Sequence, residues 1–142
     1  MRLWHYRLIP YLPKSQLLGQ WRELNSIFKK QDKHILINYI YEYGKDDLYY
    51  YSLRVIQEMK ERSYKIKSFD NFLKYFEIPK RLEVFFKDGF FAEIDTPFFK
   101  HHNDRYLWQC FYNLQEKYDR GQKDFSKAEY ERLENFIIFH FK

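Results

Sequence analysis

A chain of 142 residues is one domain by length and can enclose a core of its own. With 45% hydrophobic and 23% aromatic residues but only 4 glycines and 4 prolines, it excludes a disordered chain and argues against a turn-rich β-sandwich. The net charge of +5 is a mild basic balance that suits nucleic acid without identifying a partner, and the single cysteine excludes an intrachain disulfide framework or a multi-cysteine zinc site.

Residues 1–13 read as an extended or turn-like arm, because Pro10 and Pro13 each disfavour helix in the residue before them. Trp4, Tyr6, Leu8 and Ile9 can pin this arm to the body. After Arg2 the chain meets His5, Arg7 and two prolines, so no signal peptide is expected, and no stretch approaches the ~18–20 apolar residues of a membrane span. Pro13 suits the first turn of a helix running to Lys30. On it Leu17, Trp21, Leu24 and Phe28 recur at helical spacing as an apolar stripe, and Gln16, Gly19, Gln20 and Glu23 form a polar stripe beside it. Gly19 lies one turn before Glu23. Its missing side chain leaves space beside the carboxylate, at a cost of roughly 1 kcal/mol of helix propensity against Ala. On spacing alone, Glu23 is a solvated charge on a core helix.

Residues 31–45 form a connector whose β-branched run, Ile35 to Ile40, fits a short strand or the lead into a helix. Asp46 or Asp47 can cap the next helix, with Leu48, Tyr51, Val55 and Met59 on its inner face. A short helix follows over residues 68–77, anchored by Phe69, Phe72, Leu73 and Phe76 and ended by Pro79. Residues 80–100 carry aromatic pairs split by turn residues and read as packed loops and a short helix. Asn103 and Asp104 start a helix with Leu107, Cys110, Phe111, Leu114 and Tyr118 on one face, stopped by Gly121. Cys110 is there a buried small hydrophobe, and the natural setting of such a chain is a reducing cytoplasm. Ser126 and Glu129 form a capping box for a last helix that turns Tyr130, Leu133, Ile137 and Phe141 inward. His101, His102 and Asp104 offer no third convergent ligand, so no metal site is expected. The expected fold is mainly α, a single compact helical domain over residues 1–142 with long aromatic-rich loops.

The run Gln16-Leu17-Leu18-Gly19-Gln20-Trp21-Arg22-Glu23-Leu24 resembles the first helix of the endonuclease V-like pyrimidine-dimer DNA glycosylase family, whose pattern is Gln/His-Leu-apolar-small-x-aromatic-Arg-Glu-Leu at the same distance from the chain start. The opening through Trp4 and His5, with Ile9-Pro10 and Leu12-Pro13, is similar to the bacterial branch, and Lys33-His34 before the apolar run extends the likeness. The resemblance implies a DNA repair glycosylase with associated abasic-site lyase activity, acting on double-stranded DNA with damaged, pyrimidine-dimer-type bases and needing neither metal nor cofactor. By resemblance, the α-amino group of Met1 attacks C1′ of the damaged nucleotide, and Glu23 stabilises positive charge on the sugar and shuttles protons. Arg2 and Arg22 would contact the strand, and His34 would carry the family's histidine after the connector. An α-amine has an ordinary pKa near 8, so far more of it is neutral at pH 7 than of a lysine.

The chain departs from the phage branch at several positions. Arg2 stands where a small residue is exposed after removal of Met, Ser26 where a basic residue follows the glutamate, and Gln16 where a histidine opens the helix. The connector is also shorter. Two other readings remain open: a nucleic-acid-binding relative without catalysis, and a protein-interaction domain. On spacing alone, His34 is a structural or surface imidazole.

Overall fold

The computed structural model describes residues 2–31 and 34–142. Its fold is mainly α. Among the described residues, six α-helices, α1 (Lys14–Lys29), α2 (Lys45–Glu61), α3 (Asp70–Tyr75), α4 (Glu83–Asp88), α5 (Asp104–Asp119) and α6 (Lys127–His140), are joined by irregular segments and three 3-10 turns. The helices form where the apolar spacing asks for them. Leu17, Leu24, Ile27 and Phe28 bury the inner face of α1; Leu48, Tyr51, Val55 and Met59 that of α2; Leu107, Cys110, Phe111 and Leu114 that of α5. Tyr130, Leu133 and Ile137 do the same for α6, and its capping box is complete, with Ser126 Oγ accepting from Glu129 N and Glu129 Oε1 from Ser126 N. Buried residues from Leu3 to Ile137 share one hydrophobic cluster, in which α1 packs on α2 and α3. No described helix is long and apolar enough to cross a membrane.

Three local readings gain detail. The run from Ile35 to Ile40 is not a strand: a turn leads into a 3-10 helix at Asn38–Glu42. Only Ile37 and Ile40 of its apolar residues are fully buried, which is the three-residue period of a 3-10 helix, and Ile35 is 83% exposed. Asp46 and Asp47 lie inside the first turn of α2, after Gly44 at the cap. The Asp47 carboxylate instead accepts from Phe98 N at 2.7 Å and so ties the 90s loop to α2. In the aromatic pairs one ring goes in and its neighbour out: Phe86, Phe91 and Phe98 are buried, whereas Phe85, Phe90 and Phe99 are exposed.

The arm is more ordered than an extended strand. Residues Tyr6–Tyr11 make a 3-10 turn, started by Leu8 N donating to His5 O at 2.9 Å and carrying Leu8 and Ile9 into the core. Two buried imidazoles hold it. His5 Nδ1 accepts from Arg7 N at 3.1 Å, which leaves its Nε2–H to donate to His102 O at 2.9 Å. His102 Nδ1 accepts from Tyr6 N at 3.1 Å, which leaves its Nε2–H for the Tyr39 hydroxyl at 2.6 Å. Both ring nitrogens of each histidine are thus spent on protein groups, and both rings are neutral.

Burial drives the His5 pKa down to about 4 and that of His102 well below the ordinary imidazole range. The unfolded chain binds these protons below about pH 6.5, whereas the folded chain resists them. Stability is therefore lost as the pH falls from 6.5 through the folded pKa of His5, by at most about 1.4 kcal/mol per pH unit for each imidazole. Urea unfolding at about pH 7 and about pH 5 should show a lower midpoint at the acid pH. Equal midpoints would mean that the two rings are not held neutral.

Candidate active site

The polar stripe of α1 faces the start of the chain. Gln20, 1% exposed, presents its side-chain amide to the arm like a neighbouring strand: Oε1 accepts from Trp4 N at 2.8 Å and Nε2 donates to Arg2 O at 3.1 Å. The buried Tyr51 hydroxyl lies 2.6 Å from Trp4 O and 2.7 Å from Gln20 Oε1. Tyr106 of α5 donates its hydroxyl proton to Leu3 O. Arg2, Leu3 and Trp4 are therefore fastened from three helices.

This clamp opens onto a cleft of about 270 Å³. Gln16, Gly19, Gln20 and Glu23 form one wall, Arg2 and Trp4 the back, and Asn113 and Lys117 of α5 the opposite wall. Among the described residues, Glu23 is the only carboxylate lining it, beside Arg2 and Lys117. Glu23 Oε2 is shielded from solvent yet has no hydrogen-bond partner among the described residues. An unpaired buried carboxylate oxygen is costly, so its persistence in a cleft marks a place where an external group can complete it. The entrance end of α1 is closed by a loop from the far end of the chain. The Asp124 carboxylate accepts from Ser15 N at 2.8 Å, and Gln122 exchanges amide hydrogen bonds with Gln16 at 2.8 and 3.2 Å. The hydrogen bonds from Ser15 hold the Asp124 pKa below the usual carboxylate range.

A second depression of about 340 Å³ adjoins the cleft through Arg2 and Asn113 and is walled by Leu36, Tyr106, Gln109 and Tyr112. The Arg2 side chain serves both hollows and lies 5.9 Å over the Trp4 ring. Arg22 is exposed and folds back over Gly19: a Cβ placed on Gly19 would stand 3.6 Å from Arg22 Nη2. Arg2 and Glu23 thus come together, with Arg22 at the rim. His34 is exposed outside both hollows, its Nδ1 accepting from Leu36 N at 3.2 Å. Met1 and Lys33 lie outside the described residues. Sequence reasoning missed Tyr51, Tyr106 and the α5 wall. The spacing of Asn113 and Lys117 on one helical face was the available signal, but nothing local says what that face meets.

Residues 1–71 match the profile of the family described as pyrimidine dimer DNA glycosylase. The chain belongs to that family. DNA is accordingly the substrate and pyrimidine-dimer glycosylase activity the family's general activity. Comparison with curated proteins and with solved structures gave no match. The matched region contains the α1 wall, Arg2, Trp4 and Tyr51; it ends inside α3, so Asn113 and Lys117 come from the chain beyond it.

Gly19 costs α1 helix propensity without a steric need, since a methyl there would meet Arg22 Nη2 at an ordinary contact distance. Gly19→Ala should raise the unfolding free energy by about 0.5–1 kcal/mol in urea titration. A destabilised variant would show that the cleft wall has no room for a methyl group.

Proposed function

We propose that the Glu23 cleft is the active site of a DNA glycosylase with abasic-site lyase activity, that residues 1–142 work as one domain in it, and that the nucleophile is the α-amino group of Met1. The observation that carries this reading is the unpartnered, shielded Oε2 of Glu23 in the same cleft as the clamped Arg2. Gln20 holds the Arg2 carbonyl from one turn before Glu23, and Met1 directly precedes Arg2 in the chain. An amine so tethered does not have to be recruited from solution, and the clamp removes most of the arm's freedom before substrate arrives.

In the proposed reaction the neutral amine attacks C1′ of the damaged nucleotide. The glycosidic bond breaks, its electron pair leaves with the base, and the sugar ring opens as the nitrogen forms an imine to C1′. Removal of a proton from C2′ then expels the 3′ phosphate by β-elimination. Glu23 lies where positive charge develops on the sugar and can carry protons between these steps, as a preorganised carboxylate does best in a site shielded from water. Arg2, Arg22 and Lys117 supply cations for the phosphates on either side of the extruded nucleotide, and His34 contacts the strand beyond the second hollow. Binding that rests on such contacts weakens steeply with salt. No metal or cofactor has a part in these steps.

Borohydride trapping tests the mechanism, using tag-free protein whose N-terminus is confirmed by mass and duplex DNA with either an abasic site or a thymine dimer. The expected result is a covalent adduct that disappears when the α-amine is acetylated. Glu23→Gln should lower turnover by about 100-fold or more while leaving salt-sensitive DNA binding in place. DNA binding with no adduct on either substrate would overturn the amine mechanism and favour a non-catalytic relative.

A further inference from the structure

A further concave site lies on the opposite shoulder of α1. Trp21 and Lys14 mark that shoulder: Trp21 packs edge-on against Phe69 at 6.0 Å, and the Lys14 ammonium sits 5.3 Å over the ring of Tyr64. Tyr64 and Phe69 bound the segment that links α2 to α3. The chain reverses at the end of α2, where Tyr64 N donates to Met59 O at 2.8 Å and Ser63 N to Lys60 O at 2.9 Å, with Ser63 at φ 62°. It then runs without helix to Phe69. Alternation along this stretch leaves Lys65 and Lys67 exposed and turns Ile66 partly inward between them.

The other side of the site comes from the end of α4. Gly89, at φ 68°, seats that end directly on the Lys60 stem: a Cβ there would fall 2.6 Å from Lys60 Cβ and Cγ, which no other residue type could accept. Lys60, Lys65, Lys67 and Lys87 thereby surround one pocket of about 300 Å³, floored by Tyr64, Ile66, Phe69 and Phe86. No carboxylate among the described residues lines it. Lys87 lies 3.6 Å from Glu83, which Lys80 also engages, whereas Lys60, Lys65 and Lys67 have no acidic partner among the described residues.

Three uncompensated ammonium groups around an aromatic floor match a ligand that carries a phosphate on a flat, largely apolar ring. The volume is that of a small-molecule site. Lysines act there as point charges that follow a phosphate without demanding one orientation. We propose that this pocket binds a nucleotide through its phosphate, with the base lying on the Tyr64–Phe86 side of the floor. It shares no lining residue with the Glu23 cleft and stands whether or not the amine mechanism holds. The same chemistry is offered by a free mononucleotide and by the phosphorylated end of a single strand.

Calorimetric titration at low salt tests this with thymidine 5′-monophosphate and with a short 5′-phosphorylated single-stranded oligonucleotide. The proteins are wild type, the double variant Lys65→Ala/Lys67→Ala, its charge-keeping counterpart Lys65→Arg/Lys67→Arg, and Glu23→Gln. Both lysines are exposed, so the fold is kept in each variant. The alanine pair should weaken binding by at least about tenfold, the arginine pair should largely retain it, and Glu23→Gln should leave it unchanged. Tighter binding of the mononucleotide would identify the free nucleotide as ligand; tighter binding of the oligonucleotide would identify the strand end. The proposal is overturned if wild type binds neither probe, if the alanine pair binds like wild type, or if Glu23→Gln is the variant that loses binding.

Discussion

The Gln20 amide is the contact on which the site depends. It pairs with the backbone on both sides of Leu3, giving Trp4 N an acceptor and Arg2 O a donor, while the Tyr51 hydroxyl lies against the same Oε1. These groups are buried away from water, so each has to find its partner within the protein. The amide can face only one way: reversing it would set Nε2 against Trp4 N and Oε1 against Arg2 O, leaving donors and acceptors unpaired at about 1–3 kcal/mol each. An arm that would otherwise fray is thereby given one register relative to α1. Glu23 stands one turn further along the same face, so the register of the arm and the position of the carboxylate are set by a single helix.

That helix has three jobs distributed around its circumference. Leu17, Leu24, Ile27 and Phe28 hold it in the core; the stripe from Gln16 to Glu23 walls the cleft; Lys14 and Trp21 support the lysine-rimmed pocket on the other shoulder. A rigid core face makes the two polar flanks fixed in relation to each other.

Features set by local spacing were legible in the sequence. The inner faces of α1, α2 and α5 repeat at helical period, and the capping box of α6 needs only Ser126 and Glu129 at the right separation. The pairing of Glu23 with the chain start came from the family pattern; spacing alone made Glu23 a solvated charge. What could not be read were contacts made across the chain. Asp47 has the composition of a helix cap but is drawn to Phe98 N, and the β-branched run from Ile35 becomes a 3-10 turn because only Ile37 and Ile40 reach the core. His102, which looks like half of a weak metal pair, spends both nitrogens on Tyr6 and Tyr39. The α5 wall and the lysine pocket depend on where distant elements land, and no local period encodes that.

The cleft is also the place where the chain departs from what stability alone would select. Gly19 sits in mid-helix although a methyl would fit, and Glu23 keeps a shielded oxygen without a partner in a site flanked by Arg2 and Lys117. Elsewhere the same helix is well satisfied: Asp124 caps its first turn and Gln122 pairs with Gln16. A residue that lowers helix propensity and an oxygen with unmet hydrogen-bonding capacity share one wall of one hollow, within a framework otherwise closed by caps and buried amides. An extruded sugar carrying developing positive charge would satisfy the Glu23 oxygen and occupy the space that Gly19 leaves. Under the proposed function the two departures from stability would answer to one event, and a solvated surface glutamate would require neither of them.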